Sequence, residues 1–434
     1  VRVVVIGGGP AGCSVATHLA RARSAGARGR SAGAEAEGRT DAAAFEVTLI
    51  EARQFPRVKV CGEYVSPAAT ADLEALLDPA ALRGLGARRV DRFTLIDATG
   101  PRERRVSWRA PAPAWTLSRG TLDDALVRVA RDAGVRVVQP ALVREVGAPA
   151  PRRDDGRSGG VGGAGAAPFV VRLGDGAIVE CDVVVHADGT GRHDACDGRV
   201  VAGPRATSFV GLKCHAVLPE GAHAPDSVDM RAGPGVYCGS VIVEGGRATI
   251  ALCARGEVVK AHRGDIDALV RRAWPEWREE WRCGEWLACP VPRGWYRPSG
   301  HVRAFRVGNA AAAVDPVGGE GIGTALWSGR VLADALADAL ADAVGGAGAD
   351  AVAGGDPLRG EGSGGIEAAC ARAQRVYARA YRARIRARLP ACRAAAEALS
   401  RPALVRLAWP ILRVPGLVLR PWYLLTGKPG VTPA

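Results

Sequence analysis

The chain opens on Val3-Val4-Val5-Ile6, runs straight into Gly7-Gly8-Gly9-Pro10-Ala11-Gly12, and continues as an apolar, alanine-rich run from Cys13 to Ala20. Four consecutive β-formers read as a parallel strand buried on both faces. The residues after Gly12 carry helical spacing, with Val15, Ala16, Leu19 and Ala20 on one face. In such a strand-turn-helix unit Gly7 permits the tight turn, Gly9 lets a pyrophosphate approach bare backbone, and Gly12 lets the helix pack on the strand. The helix N-terminus then offers amides and the positive end of its dipole to the phosphates. The required strand and helix flank the glycines, so the spacing reads as a dinucleotide cradle rather than an ordinary glycine turn.

An adenosine site needs an acid at the tip of the second strand. Phe45-Glu46-Val47-Thr48-Leu49-Ile50 is that strand, and Glu51 sits at its end, where a carboxylate can take the ribose hydroxyls. The usual gap of about 20 residues after the last glycine is nearly doubled. Residues 24–44, low in complexity and without an apolar face, account for the excess as an insertion expected to loop out.

At 434 residues with 48% hydrophobic content, the chain can build two domains or one large one with a subdomain. No leader-like stretch stands ahead of the first strand, so a cytoplasmic location is expected. The eleven cysteines form no CxxC pair, which suits reduced, buried thiols and argues against a metal site. A net charge of +13 would ordinarily point to nucleic acid or an anionic surface. The basic residues are almost all arginine, however, with lysine only at Lys59, Lys213, Lys260 and Lys428, and no basic patch is interleaved with aromatics. Nucleic acid is not expected as a partner.

Beyond Glu51, a polar loop (Ala52 to Ser66) closes on a helix N-cap at Ser66 with Pro67 at the first helical position. Residues 88–108 alternate like antiparallel strands, and a helix capped by Ser118 runs to Gly134. Residues 141–187 read as a meander of strands, interrupted by a surface loop at 151–168 and ending in Asp182 to Ala187. Residues 205–292 change to longer alternating runs, a mainly antiparallel sheet whose concave face suits a substrate. A strand at Val302 to Val307 then leads through Gly308-Asn309 and Pro316-Val317-Gly318-Gly319-Glu320-Gly321-Ile322 into a helix from Thr324 to about Val344. A Gly/Ala-rich insertion (345–365) and a strongly basic helix (366–398) follow.

In this order the motifs resemble those of the FAD-dependent monooxygenases and reductases built like aromatic hydroxylases, and within them the geranylgeranyl-reductase-like branch. The resemblance spans most of the chain: GGGPAG, Glu51, the VCGEYVSP loop, the helix start at Ser118-Arg119, Asp188-Gly189, and GNAAAAVDPVGGEGIG. It implies an α/β fold with a Rossmann-like FAD-binding domain, a β-meander, a mainly antiparallel-sheet substrate domain and a helical C-terminal tail. The FAD-binding parts would be residues 1–87, 116–204 and 293–345, the substrate parts 88–115 and 205–292, and the insertion and basic tail 346–434. Gly7, Gly9, Pro10, Ala11, Gly12, Glu51 and Ala52 would hold the ADP half of FAD, and Arg119 its linker. Asp188 and Gly189 would line the crevice where NAD(P)H, the transient reductant, approaches. Gly308, Asn309, Pro316, Gly319, Gly321 and Ile322 would hold the ribityl chain and the flavin. A helix N-terminus there has a physical purpose, because two-electron reduction leaves negative charge near N1 and such a terminus stabilises it by roughly 0.3–2 kcal/mol. One position departs: the family's usual aspartate is Asn309 here, which turns a charge-assisted bond to the ribityl chain into a neutral one, a loss of about 1 kcal/mol.

The GGEGI turn and the Lys59-Val60-Cys61-Gly62-Glu63 loop look more like the reductases than the hydroxylases, and no Trp-x-Trp-x-Ile segment of the halogenases appears. Cys61 and Glu63 are the expected proton sources when hydride goes to a carbon-carbon double bond in a prenyl or lipid-like substrate. The alternatives are that the Cys61 loop only shapes the cofactor site, that an aromatic or polyketide-like substrate is hydroxylated, or that the protein is a non-catalytic flavin-fold component. From Leu399 to Leu425, apolar residues are punctuated by Arg406, Arg413 and Arg420 and by four prolines. That pattern excludes a simple spanning helix and fits a segment packed over the catalytic domain or lying on a membrane face.

Overall fold

The computed structural model describes residues 1–28, 45–147, 167–190, 205–347 and 365–414, with 417, 421, 422 and 425. Three sheets organise them. A parallel sheet runs in the order Ala304–Arg306, Val183–His186, Arg2–Ile6, Glu46–Ile50, Arg136–Val138, so the opening strand lies at its centre. The unbroken β-formers of that strand are explained by its two neighbours. Val3 and Val5 face a helical layer that includes Leu19, Leu126 and Leu336, while Val4 and Ile6 face the three-stranded meander Val143–Gly147, Phe169–Leu173, Ile178–Cys181. Both faces are dry, and each such side chain contributes roughly 1.5–3 kcal/mol of burial.

Helix Pro10–Arg28 follows the opening strand and packs against the late helix Glu320–Ala347, with Ser14 Oγ donating to the Leu326 carbonyl at 2.7 Å. Helix Arg119–Asp132 is capped as its sequence requires, Ser118 Oγ accepting from Thr121 N. Pro67 opens a helical turn after Ser66, although the Ser66 hydroxyl makes no cap bond.

The large sheet has eight strands in the order Arg282–Arg293, Arg205–Ala216, Ala248–Arg255, Val236–Ile242, Ser227–Gly233, Arg88–Asp97, Arg104–Thr116, Tyr64–Val65. All neighbours are antiparallel except Ser227–Gly233 and Arg88–Asp97, which run parallel and join the early strands to the later ones. The basic helix Ile366–Leu399 and the terminal helix Pro402–Leu412 complete the chain as described.

Several local expectations are corrected. The segment 182–187 is not the last strand of the meander: Val183–His186 pairs with the opening strand inside the parallel sheet, because its uninterrupted apolar run suits two-sided burial. Residues 24–28 continue the first helix instead of looping out, alanine and arginine being good helix formers. The rest of that insertion (29–44), most of the loop at 151–168 and residues 348–364 lie outside the described residues. The late helix begins at Glu320, four residues before Thr324, which brings the glycine turn to its N-terminus.

Candidate active site

The two glycine turns meet on one cavity. Gly9, Pro10 and Ala11 from the opening turn and Gly308, Asn309, Pro316, Gly319, Gly321 and Ile322 from the late turn line the same space, whose volume is about 1480 Å³. A pocket for one drug-sized ligand is roughly 300–1,000 Å³, so there is room here for a long cofactor and a substrate together.

At the first end, the backbone conformation is fixed by contact. Gly7 has φ 108, and a side chain there would strike the Ala187 carbonyl, which is why the strand can turn so sharply into the helix. Gly9 instead faces open space, where an added Cβ would find only the guanidinium groups of Arg57 and Arg119, each 3.9 Å away. Bare backbone, a helix N-terminus and two fixed cations converge there on a volume that a methyl group would begin to fill. That is the chemistry a pyrophosphate needs, so the residues present fit the ADP half of FAD. Arg119 is held by Asp123 through two bonds of 2.7 Å, and Arg57 lies 3.7 Å from Glu51 and 3.8 Å from Asp123. Burial would lower the Arg119 guanidinium, but Asp123 outweighs it and raises it above its ordinary value. Glu51 is buried at the strand tip and accepts from Gly8 N at 2.7 Å and Arg53 N at 2.9 Å, so its carboxylate is oriented beside the turn. Gly7, Gly12, Glu51, Ala52 and Asp188 are not among the residues that line the cavity, whereas Gly189 is.

At the late end, Gly319 adopts φ 65 and lies so near Cδ1 and Cε1 of the Tyr64 ring that no side chain fits, and Glu320 opens the helix behind it. Tyr377 and Tyr381 of the basic helix, both fully buried, donate to the carbonyls of Arg306 (2.8 Å) and Gly308 (2.9 Å) and so fix the approach to Asn309.

The loop 59–63 forms the wall between the two ends, with Val60 and Gly62 packed against Gly211 and Ala251 of the large sheet. Cys61 lies on the cavity, its sulfur accepting from Glu63 N at 3.3 Å and reached by the Arg119 guanidinium. Glu63 does not accompany it. Its side chain is completely buried, turned into the sheet, and receives four donors: Lys213 Nζ, His215 Nε2 at 2.8 Å, Thr249 Oγ1 at 2.5 Å and Arg119 N at 2.7 Å. Burial alone would push this carboxyl up, but the His215 bond and the Lys213 charge win and hold it at about 2. A carboxylate so firmly ionised has no proton to give at neutral pH. Glu63 is therefore an anchor for the loop, and the expectation of an acid at this position is corrected. The anchor also holds Glu63 at φ 56, a left-handed conformation uncommon outside glycine.

Lys59, also on the wall, is a residue that its sequence context does not single out. It keeps accessible surface within the cavity, yet burial by the surrounding walls, followed by Arg119 and Arg57, lowers its ammonium to about 8. A signal was available: two of only four lysines in this arginine-rich chain, Lys59 and Lys213, serve this one region.

Past the loop the cavity changes character. Phe93, Leu95, Trp108, Val228, Met230 and Leu252 of the large sheet form one wall, and Leu404, Val405, Leu412 and Trp422 of the C-terminal segment form the other. The tail thus packs over the site on one side, with Val405 buried against the cluster that holds Leu95, Trp108 and Met230.

No protein-family model matches the chain. It is 27% identical over 373 residues to a menaquinone reductase of Mycolicibacterium smegmatis, covering 77% of this chain and 76% of that one. Its fold is similar to that of a geranylgeranyl bacteriochlorophyll reductase-like protein from Thermoplasma acidophilum (TM-score 0.67, 17% identity, 95% of this chain and 91% of that one). It is also similar to PqsL, a probable FAD-dependent monooxygenase from Pseudomonas aeruginosa (TM-score 0.63, 18% identity, 94% and 99%). The chain is thus similar in fold to FAD-dependent oxidoreductases built like the aromatic hydroxylases, and in sequence to the menaquinone reductases.

Proposed function

We propose that the protein is a reductase that uses NAD(P)H to saturate a carbon-carbon double bond in a hydrophobic, prenyl or lipid-like substrate. The observation that carries this reading is the mostly apolar arm of the cavity, walled by Phe93, Trp108, Met230 and Leu252 opposite Leu404 and Leu412, where Asp91 and Arg92, beside Phe93, bring the charge on that wall. An extended hydrocarbon gains from every such contact, whereas a compact polar aromatic leaves most of the arm unused. The name menaquinone reductase, carried by relatives at 27–28% identity, points the same way.

FAD, when bound, supplies the hydride for one alkene carbon; the proton for the other must come from the protein or solvent. Arg57 and Arg119 with the Gly9 backbone would hold the pyrophosphate, and the late turn with the N-terminus of the helix from Glu320 would hold the flavin. Cys61 and Lys59 are the two proton-bearing groups of the loop that lie on the cavity, and Lys59, at about 8, retains its proton at neutral pH while being ready to release it. The test is anaerobic turnover with a polyprenyl substrate and NADH or NADPH, read by mass spectrometry. The reading expects a product heavier by two hydrogens. Turnover that requires oxygen and inserts a hydroxyl would replace it with the hydroxylase reading.

A further inference from the structure

The terminal helix Pro402–Leu412 has two apolar faces, and only one is used inside the protein. Val405 is buried, whereas Leu404, Leu407 and Ile411, followed by Val414, are 45%, 79%, 55% and 46% exposed. Their spacing of three, four and three residues places them along a single stripe. Further along the chain, Leu417 and Leu425 are 60% and 46% exposed. Among the described residues, half of the twelve large apolar side chains left exposed fall within this short segment, so the patch is not the ordinary scatter of a soluble surface.

Two further observations say what covers it. First, Leu404, Leu417 and Leu425 are shared between the exposed patch and the cavity wall, so the patch is continuous with the apolar arm. Second, the patch is rimmed by positive charge. Arg401, paired with Glu397 at 3.1 Å, and Arg413 are exposed beside it, and the preceding helix exposes five arginines, at 375, 379, 382, 386 and 393. A second copy of this chain would bring the same arginines face to face across a two-fold contact, which disfavours self-association. A bilayer with anionic headgroups satisfies both the stripe and the rim. Eleven residues of helix reach only about 16 Å, so the segment lies in the membrane plane, and no described helix is long and apolar enough to cross.

We propose that this stripe docks the protein on an anionic lipid surface and opens the apolar arm directly to the bilayer. The docking stands on its own observations; what passes from lipid into the arm rests on the proposed reductase reading. The experiment is co-sedimentation of the FAD-loaded full chain with sucrose-loaded vesicles of phosphatidylcholine alone or with 30% phosphatidylglycerol, about. The wild type is expected to partition onto the anionic vesicles at least ~10-fold better than onto the neutral ones, and less well at high salt. The variant Leu407→Glu/Ile411→Glu, altered only at exposed positions outside the cavity wall, is expected to lose binding by about tenfold or more while retaining its flavin absorbance and melting temperature. A wild type that stays in the supernatant, a variant that binds as well, or a dimer in light scattering that the variant breaks would each overturn the proposal. Vesicle binding requires no turnover, so failure of the reductase reading leaves this result intact and separately visible.

Discussion

The two ends of the cavity are built from different materials. The cofactor end is backbone and fixed charge: glycine turns, helix N-termini, and Arg57 and Arg119 held by Glu51 and Asp123. The far end is side-chain surface, contributed by strands of one sheet and by a helix more than 150 residues later in the chain, about. The first kind of site tolerates almost no change of shape and little change of charge. The second tolerates change of shape at the cost of changing what it accepts.

The largest effect that sharpens this contrast is at the joint between the ends. Replacing Glu63 by Gln leaves Lys213 buried without its counter-ion and is expected to cost about 3–5 kcal/mol, read by chemical unfolding. The sign with pH is fixed by the lowered carboxyl. The stability it contributes is complete above its ordinary 4.5 and is lost as pH falls toward about 2, so the difference between wild type and variant should shrink across that window. A constant difference from pH 5 to 2 would show that the carboxylate charge is not what matters.

Gly9→Val comes next. Among the described residues, a Cβ added at Gly9 meets nothing within 4 Å but the two guanidinium groups at 3.9 Å, so folding should survive. FAD affinity should fall by at least ~100-fold, about 2.7 kcal/mol, measured by fluorescence titration. Gly239→Leu is its counterpart at the far end: an added Cβ meets the Met230 methyl at an ordinary 3.5 Å, and a leucine there narrows the arm. It should raise KM for a long substrate roughly tenfold, about 1.4 kcal/mol, and leave FAD affinity unchanged. If each substitution impaired both ligands equally, the division into two ends would fail. The smallest effect is Asn309→Asp, which restores a charged acceptor beside the late turn and should bind FAD at least as tightly, by up to about 1 kcal/mol in an isothermal titration. A clear loss would assign the position another purpose.

Legibility in the sequence follows the same division. The opening turn, Glu51, the Ser118 cap and the GGEGI turn were readable because each imposes a local requirement on residue type. Glu63 was misread because its partners, Lys213, His215 and Thr249, lie some 150 residues and more downstream, about. A carboxylate in a polar loop looks the same in sequence whether it faces a ligand or a buried lysine. The strand at 183–186 was assigned to the wrong sheet for a related reason: an apolar run declares that it is buried, not what buries it. The apolar arm was expected only as a concave face, since its residues are spread over strands whose pairing no local signal records.

The parallel pairing of Ser227–Gly233 with Arg88–Asp97 carries one more consequence. It bridges more than 130 positions, so the hairpin formed early in synthesis must wait with an open edge until its distant neighbour emerges, about. Shortened versions ending before residue 227 should accumulate as aggregates rather than as a working cofactor domain, because among the described residues no other strand pairs with that waiting edge.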